Sequence, residues 1–254
     1  MKRIVLPVLL LLVLVGAWEL YVDLGGVDSL VWPSPHQVAK SLWVDRGLLW
    51  HSFLITSREV VLGILAAALA GFALAVAIHL SQTTRRAVYP LVIASQAVPV
   101  PIMAPLLVFW LGFGILPKLV VVAIVSFFAI VVGTLDGLAT VDPQLLKLMR
   151  TLDATRLRTF RHVELPAALP GVFTGAKIAV AVSVIGAVLA EQAPGSSGGL
   201  GFQIELSQNQ LLPARGVAIV VILSVAAVAL FGLLSLAERF FAPWAYQVKG
   251  ERSR

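Results

Sequence analysis

The chain has 254 residues, of which 59% are hydrophobic and only 13% charged, with a net charge of +6 and no cysteine. Its mean hydropathy is +0.96. A soluble domain carries about 25% charged residues, so a soluble enzyme and a disordered chain are both excluded, as are disulfides, thiolate metal sites and cysteine nucleophiles. Excess base in so apolar a chain points to loops beside a membrane rather than to nucleic acid.

A membrane-spanning helix needs about 20 apolar residues. Residues 4–20, behind Lys2 and Arg3, supply the first. Trp18, Glu19 and Tyr21 stand where a signal-peptide cleavage site would need small residues, so the segment reads as an anchor. Residues 60–84 and 87–117 are free of Asp, Glu, Lys and Arg and supply the second and third, the third longer than one span requires. Residues 119–135, 165–190 and 216–237 complete a set of six, interrupted only by Lys177. This predicts an all-α polytopic membrane protein with a single transmembrane domain over residues 1–254.

With the N-terminus inside, the cytoplasmic segments hold Lys2, Arg3, Arg85, Arg86, Lys147, Arg150, Arg156, Arg158, Arg161, Arg239, Lys249, Arg252 and Arg254, thirteen of the nineteen basic residues. The outside segments hold four: Lys40, Arg46, Lys118 and Arg215. That asymmetry places both termini in the cytoplasm. The halves share no sequence repeat of the kind seen in many secondary transporters.

Four segments outside simple spans carry the remaining information. After the first span, Pro33 and Pro35 force an extended path. Ser34 or Pro35 then opens an amphipathic stretch, residues 37–50, with Trp32, Trp43 and Trp50 suited to an interface. Within the third span, Pro99, Pro101 and Pro105 each remove a backbone donor, and broken helix at membrane depth is tolerated only against protein or a water-filled cavity. Ser95 and Gln96 beside them line a pathway gated by the prolines, or else the segment is a packing kink. Both readings stay open.

The third segment, residues 137–165, is too long for a turn. Pro143 starts a helix with an apolar face of Leu145, Leu146, Leu148, Met149 and Leu152. Thr155 caps a second helix carrying Leu157, Phe160 and Val163, and Leu165-Pro166 and Pro170-Gly171 end it and open the fifth span. An Arg-rich pair of short amphipathic helices is a docking surface or rests on anionic lipid. The fourth segment, residues 191–215, has the run 195–201, Gly-Ser-Ser-Gly-Gly-Leu-Gly. No Gly-Lys-Ser or Gly-Lys-Thr follows, so this is a turn and not a P-loop. Beyond it, a helix with Gln203, Glu205, Gln208, Asn209 and Gln210 faces a delivery protein or water.

Residues 150–155 and 160–171 resemble the cytoplasmic signature of permease subunits of binding-protein-dependent ABC importers. The family motif runs Glu-Ala-Ala, three residues, Gly, nine residues, Ile, one residue, Leu-Pro. Laid on this chain without a gap, Lys147, Leu148 and Met149 take the Glu-Ala-Ala positions, Asp153 the Gly, Val163 the Ile, and Leu165 and Pro166 the Leu-Pro. The Glu, both Ala and the Gly are absent. Residues 30–35, 95–117, Glu191 with Gly198, Gly199 and Gly201, and the tail Glu238, Arg239 and Trp244 resemble the nitrate, taurine and sulfonate branch of that family. Ser95-Gln96 reads closest to its permeases for thiamine-pyrimidine precursors or riboflavin.

The resemblance implies the fold of the methionine importer permease and a transport subunit without cofactor, metal or ATP site of its own. It implies cytoplasmic ATP-binding-cassette ATPases docking at Lys147, Leu148, Met149, Leu152, Asp153, Arg156, Phe160, Val163, Leu165 and Pro166, an extracytoplasmic solute-binding protein, and a second copy of the chain. Enzymatic readings are thin. His36, His51, His79 and His162 show no metal-ligand spacing, and no Gly-x-Ser-x-Gly elbow exists. Only Lys177 is ionisable at membrane depth, close enough to its span end to snorkel to the cytoplasmic face. An ion-coupled transporter would need titratable groups in its spans, and a non-transporting assembly factor remains the third alternative.

Overall fold

The computed structural model describes residues 2–245, with side chains described from residue 5. Met1, Lys249, Arg252 and Arg254 lie outside the described residues, as do the side chains of Lys2 and Arg3. The described residues form helices and connecting turns, without strands. In chain order the α-helices are α1 Lys2–Leu24, α2 Pro35–Val44, α3 Arg46–Leu80, α4 Gln82–Ala94, α5 Val100–Leu111, α6 Ile115–Ala139, α7 Pro143–Thr151, α8 Arg156–Thr159, α9 Leu165–Glu191, α10 Leu200–Asn209 and α11 Pro213–Phe241. Five are long and apolar enough to cross a membrane, and the bent pair α4–α5 makes a sixth crossing when taken as one span.

The centre of the bundle is the α6–α9 crossing. Gly133 and Gly137 on α6 meet Gly175 and Gly171 on α9 with backbone against backbone; a Cβ on Gly133 would lie 2.5 Å from the Gly175 Cα. Small residues four apart allow this approach, and van der Waals packing drives helix association in lipid, where no hydrophobic effect operates between helices. α3 lies against α6 in the same manner. A Cβ on Gly71 would sit 3.1 Å from Ile130, and Gly63 abuts Val122. The buried face of α3 runs Ser52, Thr56, Glu59, Gly63, Ala67, Gly71 and Ala75, spaced three or four apart, the period of one helix face.

α3 begins fourteen residues before the expected start of the second span and takes in Trp50, Arg58 and Glu59. The sequence expectation placed charge in loops, whereas Glu59 is carried on the packed face and Arg58 on the exposed one. The amphipathic stretch 37–50 is correspondingly two helices that meet at Asp45. Ser34 opens α2 with a capping box completed by Gln37, and Pro35 occupies its first turn, as expected of a residue without an N–H to satisfy.

The proline-rich span is bent by 101° between Gln82–Ala97 and α5. α4 packs Val92 against Ala75, Ile78 and Val131 at the end of the bundle that carries α7. α5 packs Ala104 against Val121, Ala190 and Ala193 at the end that carries α10. The pair therefore passes from one end of the bundle to the other. The three prolines act differently from one another. Pro99 stands at the break, after Val98 in the extended conformation that a following proline favours. Pro101 sits in the first turn of α5, where no donor is needed, and Pro105 lies inside α5.

Leu165-Pro166 and Pro170-Gly171 do not end a helix. Residues 156–191 are continuous, through a π turn at Phe160–Glu164 in which the Leu165 N–H bonds to the Phe160 carbonyl. The wider turn re-registers the backbone ahead of Pro166, which has no N–H to offer. α1 is exposed along nearly its whole length. It is tied to α2 by the His36 ring and the Glu19 carboxylate, 2.5 Å apart.

Candidate functional site

At one end of the bundle, α7, α8 and the π turn form the predicted docking loop. Asp142 caps α7 by accepting from the Gln144 N–H at 2.8 Å, with Pro143 at the first position. Thr155 caps α8 by accepting from Arg158 N. Between the two helices the chain reverses at Asp153, with φ +50°, while the Ala154 N–H returns to the Met149 carbonyl at 3.0 Å. This is a left-handed C-terminal cap of the kind glycine usually supplies, and Asp is among the residues that tolerate it.

The apolar side chains of this loop divide into two sets. Leu145, Leu148, Leu152 and Leu157 are 47%, 54%, 66% and 73% exposed. Met149, Val163, Leu165 and Pro166 are half-buried, and Lys147, Asp153 and Arg156 are exposed. Phe160 does not belong to the surface. It is buried with Leu138 and Ala168, its ring 6.4 Å from His79. The π turn rolls it inward, so it anchors the loop rather than presenting it. No ion pair joins Lys147 to Asp153 among the described residues. His79, at the end of α3, meets the buried Glu164 carboxylate at 2.9 Å, and Arg156 donates to the His79 carbonyl at 3.5 Å.

At the opposite end, Glu191, Gly198, Gly199 and Gly201 come together around a polar cluster. Glu191, fully buried at the end of α9, accepts from Thr56 Oγ1 at 2.7 Å and from the Gly201 N–H at 2.5 Å. The Thr56 hydroxyl in turn accepts from the Leu200 N–H at 2.8 Å. Gly199 has φ +103°, and any Cβ there would overlap the Glu191 carboxylate. The glycine-rich run thus lets backbone close over a buried acid. Lys118 donates to Glu59 Oε1 at 3.0 Å and to the Gly198 carbonyl at 3.3 Å. Gln203, expected on a surface helix, is buried together with Ser207 on the inner face of α10, while Glu205, Gln208, Asn209 and Gln210 are exposed.

Sequence reasoning missed Glu59, Lys118 and Thr56, and it treated Lys177 as the one ionisable group at depth. Glu59 on α3 and Lys118 on α6 are 2% and 8% exposed, so Lys177 is joined by two further buried ionisable groups on the long apolar helices. Lys177 does not snorkel. It pairs with Glu238 on α11, with its Nζ also 5.4 Å from the centre of the Phe231 ring. A signal was present: Glu59 falls on the small-residue stripe of α3, three residues after Thr56 and four before Gly63.

The pathway candidates sit on the outside of the single chain. Ser95 Oγ donates to the carbonyl of Val92 at 2.7 Å, so its hydroxyl is spent within its own turn. Gln96, Pro99, Pro101 and Pro105 are exposed. The structure does not gather them with the Glu191 cluster.

The family model for "Binding-protein-dependent transport system inner membrane component" matches residues 60–245. The chain belongs to this family. It is 34% identical over 239 residues to a probable ABC transporter permease protein of Haemophilus influenzae, spanning 94% of this chain and 97% of that one. It is 32% identical over 239 residues to the formylaminopyrimidine transport permease protein ThiX of Halalkalibacterium halodurans, covering 94% and 95%. With the riboflavin transport system permease protein RibX of Chloroflexus aurantiacus it shares 33% over 251 residues, covering 94% and 89%. Its fold is similar to a chain of an amino acid ABC transporter solved with histidines, with TM-score 0.65 and 18% identity over 78% of this chain and 96% of that chain. It is also similar to the MetNI methionine ABC transporter, with TM-score 0.61 and 19% identity, covering 75% and 97%. The chain is thus an ABC transporter permease with several membrane-crossing helices.

Proposed function

We propose that this permease is one half of the transmembrane path of an ATP-driven importer, oriented with α7 and both termini in the cytoplasm. The observation that carries the reading is the α7–α8 surface: exposed leucines rimmed by arginines, held by three local caps at the spacing of the family motif. Such a surface fits an apolar groove on an ATP-binding-cassette ATPase with acidic neighbours. Burying Leu148 and Leu152 there removes two large apolar side chains from water, about 1.5–3 kcal/mol each. The ATPase subunits supply hydrolysis, since the chain has no P-loop sequence. A solute-binding protein delivers to the α10 end, where Glu205, Gln208, Asn209 and Gln210 face outward.

A second copy of the chain faces the bent α4–α5 segment, so that Ser95, Gln96 and the exposed prolines line the path between two copies. Closed two-fold symmetry makes this the simplest assembly. The solute is a small organic or oxyanionic molecule of the classes carried by the relatives' names and by the resemblance to the nitrate, taurine and sulfonate branch: a thiamine precursor, riboflavin, a sulfonate or taurine, or nitrate. The test is co-expression with candidate ATP-binding-cassette ATPases from the same genome, followed by purification and ATP-dependent uptake. Leu148→Asp with Leu152→Asp should abolish ATPase co-elution and uptake while the chain still inserts. Normal uptake by that double variant overturns the docking assignment, and uptake that persists without ATP overturns the importer assignment.

A further inference from the structure

Beside the Glu191 cluster lies a cavity of about 270 Å³, bordered by Arg58, Lys118, Ser197, Phe113 and Ile115. Its wall is closely built: a Cβ on Gly195 would stand 2.1 Å from the edge of the Phe113 ring. Arg58 lies about 32 Å along α3 from His79 at the docking end, roughly the thickness of a hydrocarbon core. The cavity therefore opens at the outer mouth of the bundle, where the proposed orientation brings the solute in. The neighbouring acids are satisfied inside the chain. Glu59 is met by Lys118 and by the Glu191 carboxyl, and Glu191 by Thr56 and Gly201. Arg58 differs from them. It is exposed and has no hydrogen bond or ion pair among the described residues. The exposed Ser197 hydroxyl is likewise unpartnered among them. Ile115 opens α6, so its N–H has no carbonyl within the helix and adds positive charge at the same place. The groups left open to this cavity are thus donors, and a guanidinium can only donate.

We propose that this cavity binds the oxyanion group of a small solute through the Arg58 guanidinium, with the Ser197 hydroxyl as the second donor. The planar fork of the guanidinium matches two oxygens of a sulfonate, phosphate or nitrate at once. The inference rests on the permease reading and narrows its solute class to anions, which admits sulfonates and nitrate and leaves out an uncharged pyrimidine. Phospholipid headgroups carry the same oxyanion chemistry, so the experiment separates the two sources. The wall formed by Phe113 and Gly195 suits a free solute, whose oxyanion is not tethered to acyl chains.

The test is a thermal-shift titration of the full-length chain in phosphatidylcholine nanodiscs, at neutral pH and constant ionic strength, with ethanesulfonate, nitrate and 4-aminopyrimidine. At least one of the two anions should raise the unfolding midpoint, and the uncharged pyrimidine should not. Arg58→Gln should weaken the response at least about tenfold, the value of one hydrogen bond to a charged group. Arg58→Lys should retain part of it, and Ser197→Ala should weaken it by a smaller factor. Arg46→Gln removes an exposed cation of the same helix outside the cavity and should leave the response unchanged. Each variant alters an exposed side chain, so folding is not at stake. An unchanged response in Arg58→Gln, an equal loss in Arg46→Gln, a response to 4-aminopyrimidine alone, or silence with every probe overturns the proposal. The lipid arm is native mass spectrometry of the full-length chain with added phosphatidylglycerol. If Arg58 is needed to retain that lipid while the free anions are silent, the site belongs to a headgroup and the solute assignment is overturned. ATPase co-elution is read separately: if it persists when the titrations fail, the permease reading stands and the oxyanion site falls.

Discussion

Thr56→Val is the sharpest probe of the polar cluster, because valine keeps the shape of threonine and removes only the hydroxyl. That hydroxyl donates to Glu191 at 2.7 Å and accepts from the Leu200 N–H at 2.8 Å. Leu200 opens α10, so its N–H has no carbonyl four residues back within the helix. The substitution leaves two buried groups short of a partner, at about 1–3 kcal/mol each. Glu191 keeps its bond from Gly201, which lowers its share. Interhelical hydrogen bonds in membranes average only about 0.6 kcal/mol, because the unfolded chain in lipid finds other partners. That low value applies least here, where an acid must be satisfied inside the fold. The expected loss is about 2–4 kcal/mol. Thr56→Ser retains the hydroxyl and gives up one methyl, about 0.8 kcal/mol. The assay is SDS-titrated unfolding in bicelles, comparing both variants with the parent chain. If Thr56→Val and Thr56→Ser agree within about 0.5 kcal/mol, the hydroxyl does not hold the outer segment to α3 and the reasoning fails.

Asp45 and Arg215 form a two-point contact at 2.8 and 3.0 Å that ties the α2–α3 junction to the start of α11. The Arg215 guanidinium, aided by the Ser41 hydroxyl and opposed by burial, holds the Asp45 carboxyl below its ordinary range. A carboxyl lowered in the folded state contributes stability above its unfolded pKa of about 3.9, lost as pH falls through the lower folded value. The unfolding midpoint should therefore be insensitive to this pair above about pH 5 and drop below about pH 4, and Asp45→Asn should flatten that acid limb; an unchanged limb refutes the assignment. Lys177→Met should destabilise the chain by about 1–3 kcal/mol, because it removes a charged hydrogen bond between α9 and α11; an unchanged unfolding midpoint would show that the pair does not hold the two helices together. At Asp153, with φ +50°, Gly should be tolerated or stabilise by up to about 1 kcal/mol, while Val should destabilise by about 1–2 kcal/mol; indistinguishable unfolding midpoints for the two would remove the left-handed cap from the account.

Much of the fold was legible in the chain because lipid leaves few alternatives. Long apolar runs must be helical to satisfy their own backbone, so α1, α3, α6, α9 and α11 were visible as spans before their ends were. The helix start at Pro143 and the cap at Thr155 were legible for a similar reason: each is decided by residues within four positions of itself. The outer glycines were seen as a turn but not as a lid over an acid. What the sequence could not settle was which side chains meet across helices. Phe160 looked like a docking residue on its helix face until the π turn rolled it onto Leu138. Lys177 looked free to reach water until α11 brought Glu238 beside it. Glu59 and Lys118 fell outside the spans read as 60–84 and 119–135, because a hydropathy reading ends a helix at its first charge. Only the close crossing of α3 and α6, allowed by Gly63 and Gly71, places the two 3.0 Å apart, where each charge is the other's solvent.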